Sequence, residues 1–186
     1  YTLLAFLNPL YAYGMNASLF KFYNNENYNF KTVTSTSLLS LFVSSALFSA
    51  ILIVWSPALN LLIDNNSAQP GINWFFFLSF ILFFDSFSAR VFVLLRLKQK
   101  PYYFLFISAS NVCLSVFFNF LLINYYGWAS FGAVVSLLIV SGVQAVLLIP
   151  IIVQSVRFKY FDSMLFKKML NFSFPFLPSA LLFVVV

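Results

Sequence analysis

The chain has 186 residues, of which 62% are hydrophobic, 22% aromatic and 8% charged, with a mean hydropathy of +0.96. A water-soluble domain carries about 25% charged residues, so this composition excludes one and points to a bilayer. The net charge of +6 does not signal nucleic acid, because the basic residues stand in short clusters beside long apolar runs, as membrane proteins keep their cytoplasmic charge.

A helix crossing about 30 Å of hydrocarbon needs about 20 apolar residues, so candidate spans can be read in order. The first, 1–20, is uncharged but interrupted by Asn8, Pro9 and Gly14. The second, about 35–62, carries Pro57 near its end, and the third, 72–95, contains Asp85 and Arg90. The uncharged stretch 101–156 is too long for one crossing, and Asn124-Tyr125-Tyr126-Gly127-Trp128 interrupts it with turn and interfacial residues. It reads as a hairpin of two spans, 101–123 and 129–153. A sixth span opens near Leu170.

Lys and Arg beside membrane segments are retained on the cytoplasmic side, and here they alternate. Lys21 and Lys31 flank the first connection, the third holds Arg96, Lys98 and Lys100, and the fifth holds Arg157, Lys159, Lys167 and Lys168. The second and fourth have no basic residue. Connections one, three and five are therefore expected inside, and two and four outside. The first span then runs inward, and the chain opens on Tyr1 and stops within an apolar run, so a fragment lacking a preceding span is expected. Within 155–169, apolar Val156, Tyr160, Phe161, Met164, Leu165 and Met169 interleave with basic residues, which predicts an amphipathic helix on the inner interface. Pro175 and Pro178 predict a break or bend beyond it.

Ionisable groups at membrane depth cost several kcal/mol unless they face protein or water, which singles out Asp85 and Arg90. Counted from Arg96, Arg90 lies about 9 Å and Asp85 about 16 Å into the span. They sit roughly 140° apart around the helix and are poorly placed to pair. For both, one reading is an aqueous or ligand-lined cavity. The other is that Arg90 snorkels to the interface and Asp85 bonds a neighbouring helix. In the next span Ser108, Asn111, Ser115 and Asn119 share one helical face, which must meet another helix or a wet cleft. The serine tracks Ser37, Ser40, Ser44 and Ser45, Ser49, Ser56, with the pair Gly132 and Ser136, read as close-packing devices.

With no His, one Cys (Cys113) and four scattered carboxylates, the chain offers no triad, metal site or carboxylate dyad. No catalytic residue, metal or cofactor is expected, and the chain does not read as an enzyme. A membrane polymerase or acyltransferase would need a large external loop or an intramembrane His, and neither is present.

The string Leu94-Leu95-Arg96-Leu97-Lys98-Gln99-Lys100-Pro101, the Tyr126-Gly127-Trp128 turn with Gly132-Ala133, and the run from Lys167-Lys168 to Phe174-Pro175-Phe176-Leu177-Pro178 are family-like in their order and orientation. Together they resemble the polysaccharide biosynthesis proteins and O-antigen flippases of the MATE-like multidrug/oligosaccharidyl-lipid/polysaccharide exporter superfamily. The resemblance matches a basic LLR closing the fourth helix, and Pro175 to Ser179 with a Pro-x-x-Pro-Ser start of the seventh. It implies an all-α, polytopic transmembrane helix bundle: residues 1–154 as about helices two to six of an N-terminal lobe, 155–169 as a cytoplasmic amphipathic linker, and 170–186 as the start of helix seven. The whole protein would have about 12 to 14 helices in two rocking lobes.

The implied activity is flipping an undecaprenyl-diphosphate-linked oligosaccharide across the bacterial inner membrane for polysaccharide, O-antigen and lipopolysaccharide assembly. Implied partners are that lipid-linked oligosaccharide, membrane lipids and other polysaccharide assembly proteins. Arg90 would attract the diphosphate, Asn111 and Asn119 would bond the glycan or a neighbouring helix, and Asp85 would balance charge or couple protons or cations. A MATE-type multidrug or cation antiporter on the same scaffold is the nearest alternative, and a non-transport membrane protein of a polysaccharide pathway is another.

Overall fold

A computed structural model describes residues 2–24, 28–64 and 73–185, and among these every regular element is helical. The helices are α1 (Thr2–Ala12), α2 (Met15–Tyr23), α3 (Phe30–Asp64), α4 (Trp74–Leu97), α5 (Pro101–Asn119), α6 (Ala129–Ser155), α7 (Ser163–Ser173) and α8 (Phe176–Val185). Four stretches, Phe30–Asn60, Trp74–Leu97, Pro101–Tyr125 and Ser130–Ser155, are long and apolar enough to cross a membrane. They fit a membrane-embedded protein. The second connection, expected around residues 64–71, lies largely outside the described residues.

α4 is the central helix, packed against α1, α2, α3, α5 and α6. Over its apolar window 56% of residues are buried, against 11% for the α5 stretch, so α5 stands at the edge of the bundle. One core cluster joins α3, α4, α5 and α6 through Leu38, Val91, Leu94, Leu95, Ile107 and Leu148. A second joins α2 to α7 through Met15, Leu19, Phe22, Leu165 and Met169.

The first predicted span is not one helix. Pro9 has no N–H to donate and crowds the preceding turn, and the chain then leaves the α conformation at Tyr13 (φ 35°) and Gly14 (φ 66°). Two short helices result. The positive φ at Gly14 favours glycine, and a Cβ there would stand 2.6 Å from the Ser173 carbonyl oxygen. Ser173 ends α7, so two helix breaks meet: α1 packs on α8 and α2 on α7, in opposite chain directions.

Pro57 does not break α3. Its missing N–H would have bonded the Ile53 carbonyl, and the Ser56 hydroxyl donates to that oxygen instead, at 2.8 Å. In the predicted hairpin, α5 passes through a π-helical segment, Phe120–Tyr125, before the turn at Gly127 (φ 67°). The Trp128 N–H donates back to the Leu122 carbonyl at 3.1 Å. Gly132 lies so near Leu122 that a Cβ would come 3.1 Å from its carbonyl oxygen, so Gly132 itself permits close approach there.

The amphipathic helix begins later than 155 and ends later than 169. α6 runs on to Ser155, Val156 is extended, and a 3-10 turn covers Phe158–Tyr160. α7 starts only after Asp162, whose carboxylate accepts the Met164 and Leu165 N–H groups at 2.8 and 3.2 Å. Asp is a strong N-cap, so it sets this boundary. Leu165, Met169 and Ser173 form the buried stripe, with Met164, Lys167, Lys168 and Asn171 outward. The expected break beyond it falls at Phe174-Pro175.

Candidate functional site

α4 carries both charges of the third predicted span and sends them to different neighbours. Arg90 faces α3 and the α1–α2 break. Its Nη1 donates to Ser37 Oγ at 3.0 Å, and its Nη2 donates to the Ala12 carbonyl at 3.2 Å. The guanidinium also lies 5.8 Å from the Tyr13 ring centroid, within cation–π reach. Ala12 ends α1, where carbonyls lose their intrahelical donors and the helix dipole is negative, so a cation there answers both. Arg90 is 1% exposed and does not snorkel, and its Nε has no hydrogen-bond partner.

Asp85 turns to α6, where its carboxylate accepts the Ser141 hydroxyl at 2.6 Å. It is half-buried. The roughly 140° between positions 85 and 90 is thus realised as two separate polar contacts, one on each side of α4.

The polar stripe of α5 divides. The Asn111 amide donates to Gln144 Oε1 across to α6, an interhelical bond. The Asn119 amide points back to Ser115 Oγ within its own helix, at 3.4 Å. Ser141 and Gln144 lie three apart on one face of α6, so this face serves both Asp85 and Asn111. None of the four sequence-predicted residues lines the apolar cleft between α1, α4 and α6. That cleft, of about 540 Å³, is lined by residues such as Leu4, Trp74, Leu78 and Val134. The four residues are not gathered into one site.

Sequence reasoning missed Gln144 and Thr34 to Thr36, and read Ser37 only as a packing residue. Gln144 was visible only as a lone amide in an apolar helix. The run Thr34, Ser35, Thr36 and Ser37 is wholly buried, each residue 2% exposed or less. Thr36 Oγ1 accepts the Asp162 N–H and Ser35 Oγ accepts the Arg157 N–H, each at 3.1 Å, while Ser37 accepts Arg90. Thr34 Oγ1 donates to Phe30 O at 2.9 Å and lies 3.5 Å from Ser155 O. The signal was four successive hydroxyl residues covering every face of one helical turn, more than a packing stripe needs.

The two ends of the bundle differ. Lys21 lies over the Phe172 ring, Lys168 bonds Tyr28, and Lys98 bonds Ser155, which brings connections one, three and five to one basic end. The other end is aromatic, with Trp74, Phe77 and Trp128 ringed around Phe131. Such a division between the two ends fits a membrane-embedded protein. No family model, curated protein or solved structure matches the chain. Among the described residues no group of three His, Cys, Asp or Glu side chains could hold a metal ion, and Cys113 is an exposed free thiol.

Proposed function

We propose that the chain belongs to a multi-pass transporter of the bacterial inner membrane that flips a lipid-linked oligosaccharide. The observation that carries this reading is the interrupted helix α1–α2, whose freed Ala12 carbonyl is met by the buried Arg90. Broken backbone at membrane depth persists only where protein or a cavity satisfies it, and discontinuous helices of this kind recur at the substrate paths of transporters. Contact with the α7–α8 break at Ser173 would let the two interruptions move together. In this reading Arg90 attracts the diphosphate once its present acceptors release it, and Asn111 and Asn119 bond the glycan. Asp85 balances charge or couples ion movement.

A MATE-type cation antiporter is supported by a different observation: the Asp85 carboxylate is bonded to a hydroxyl, not to a cation. The test is translocation of an undecaprenyl-diphosphate-linked sugar by the full-length protein in proteoliposomes. Arg90→Ala should slow it severalfold, and Arg90→Lys should retain part of the rate. An unchanged rate in Arg90→Ala removes the assignment, and uptake of a cationic dye that depends on Asp85 would favour the antiporter.

A further inference from the structure

A small cavity of about 90 Å³ lies at the basic end, where four segments converge. Phe30, Lys31 and Thr34 line it from α3, Lys98 from the end of α4, Gln154 and Ser155 from α6, and Arg157 and Tyr160 from the linker. Three cationic side chains thus share one cavity, and no carboxylate is among its lining residues. Like charges brought together without a counterion repel, and an anion between them would remove that cost. Lys98 is the deepest of the three: it is half-buried and donates to Ser155 Oγ at 2.6 Å. An ammonium has three donors, so this bond leaves two for a ligand. The Tyr160 hydroxyl and the Arg157 fork add donors of the kind that tetrahedral oxyanions accept.

We propose that this cavity binds a phosphate group, carried by an anionic lipid headgroup or free in solution, between Lys31, Lys98 and Arg157. A basic pocket between helices at the polar end of a membrane bundle is where lipid phosphates are recognised. The linker backbone is already pinned to α3, since Ser35 accepts the Arg157 N–H, so a bound phosphate would bind α3, α4 and the linker together. The inference does not rest on the transport reading.

The test compares the full chain with Lys31→Gln/Arg157→Gln and with Lys159→Gln/Lys167→Gln, which removes the same charge outside the cavity. Both substituted pairs are exposed, and circular dichroism checks that the helices remain. One arm measures phosphatidylglycerol retained from mixed phosphatidylcholine nanodiscs by native mass spectrometry. The other titrates inorganic phosphate into detergent-solubilised protein. Loss of about fivefold in binding per cavity cation is expected, with the control pair near wild type. Binding in the first arm alone names a lipid as the source, and binding in the second names free phosphate. Equal binding by the two variants, or no phosphate binding in either arm, overturns the proposal. Arg157→Lys in place of Arg157→Gln should restore most of the binding.

Discussion

The Arg90 guanidinium stands 3.2 Å from the carbonyl oxygen of Ala12, the residue at which α1 stops. A cation taken from the middle of one helix thereby closes the end of another. The same side chain holds Ser37 of α3, so three helices meet on one buried charge.

Replacing Arg90 by Met should leave the Ala12 carbonyl and Ser37 hydroxyl without this donor. A loss of about 2 to 4 kcal/mol is expected, as for other buried charge-assisted hydrogen bonds with their stranded partners. Unfolding in mixed detergent measures it, and a variant as stable as wild type would remove the clamp.

Gly14 and Gly127 both hold positive φ, yet their surroundings differ. A Cβ at Gly127 meets open space, whereas at Gly14 it runs into the Ser173 backbone at 2.6 Å. Gly127→Ala should cost only the dihedral penalty, about 1 to 2 kcal/mol, and Gly14→Ala clearly more. Similar melting temperatures for the two variants would contradict the contact between the breaks.

The Asn111 amide and Gln144 are expected to be coupled. A double-mutant cycle through Asn111→Leu and Gln144→Leu should return about 0.6 kcal/mol, with an upper bound near 1.7 kcal/mol, as measured for polar pairs between membrane helices. Zero coupling would mean that each amide finds another partner.

Burial, and next the neighbouring Lys100, hold Lys98 below the ordinary lysine range. The folded protein releases this proton at a lower pH than the unfolded chain, which therefore binds more protons between the two values. Stability from this group rises with pH across that alkaline window and is flat below it. Lys98→Met should abolish the rise in an alkaline unfolding series. Bound phosphate should oppose it by favouring the charged ammonium.

Sidedness is open to a direct experiment. In a Cys113→Ser background, Cys at Lys98 and Cys at Tyr125 should react with a membrane-impermeant thiol reagent from opposite sides, because they stand at the basic and aromatic ends of the α5 hairpin arm. Labelling of both from the same side would overturn the expected alternation of inside and outside connections.

Composition and run length alone determined the helical class and the apolar stretches, because hydrocarbon leaves a spanning backbone little but helix. Charge placement along the chain foretold the gathering of basic connections at one end. Whether an interruption breaks a helix depended on neighbours that sequence does not display: Ser56 carries α3 past Pro57, while Ser173 crowds Gly14 where α1 gives way to α2. A bond to a neighbouring helix was one reading for Asp85 and Asn111, but the partners of Arg90, Asp85 and Asn111 were unreadable, since a helical wheel says which residues share a face but not which hydroxyl or carbonyl lies opposite. Partners such as Ala12, Ser141 and Gln144 are remote in the chain, and only the packing of α1, α4, α5 and α6 brought them within hydrogen-bond reach.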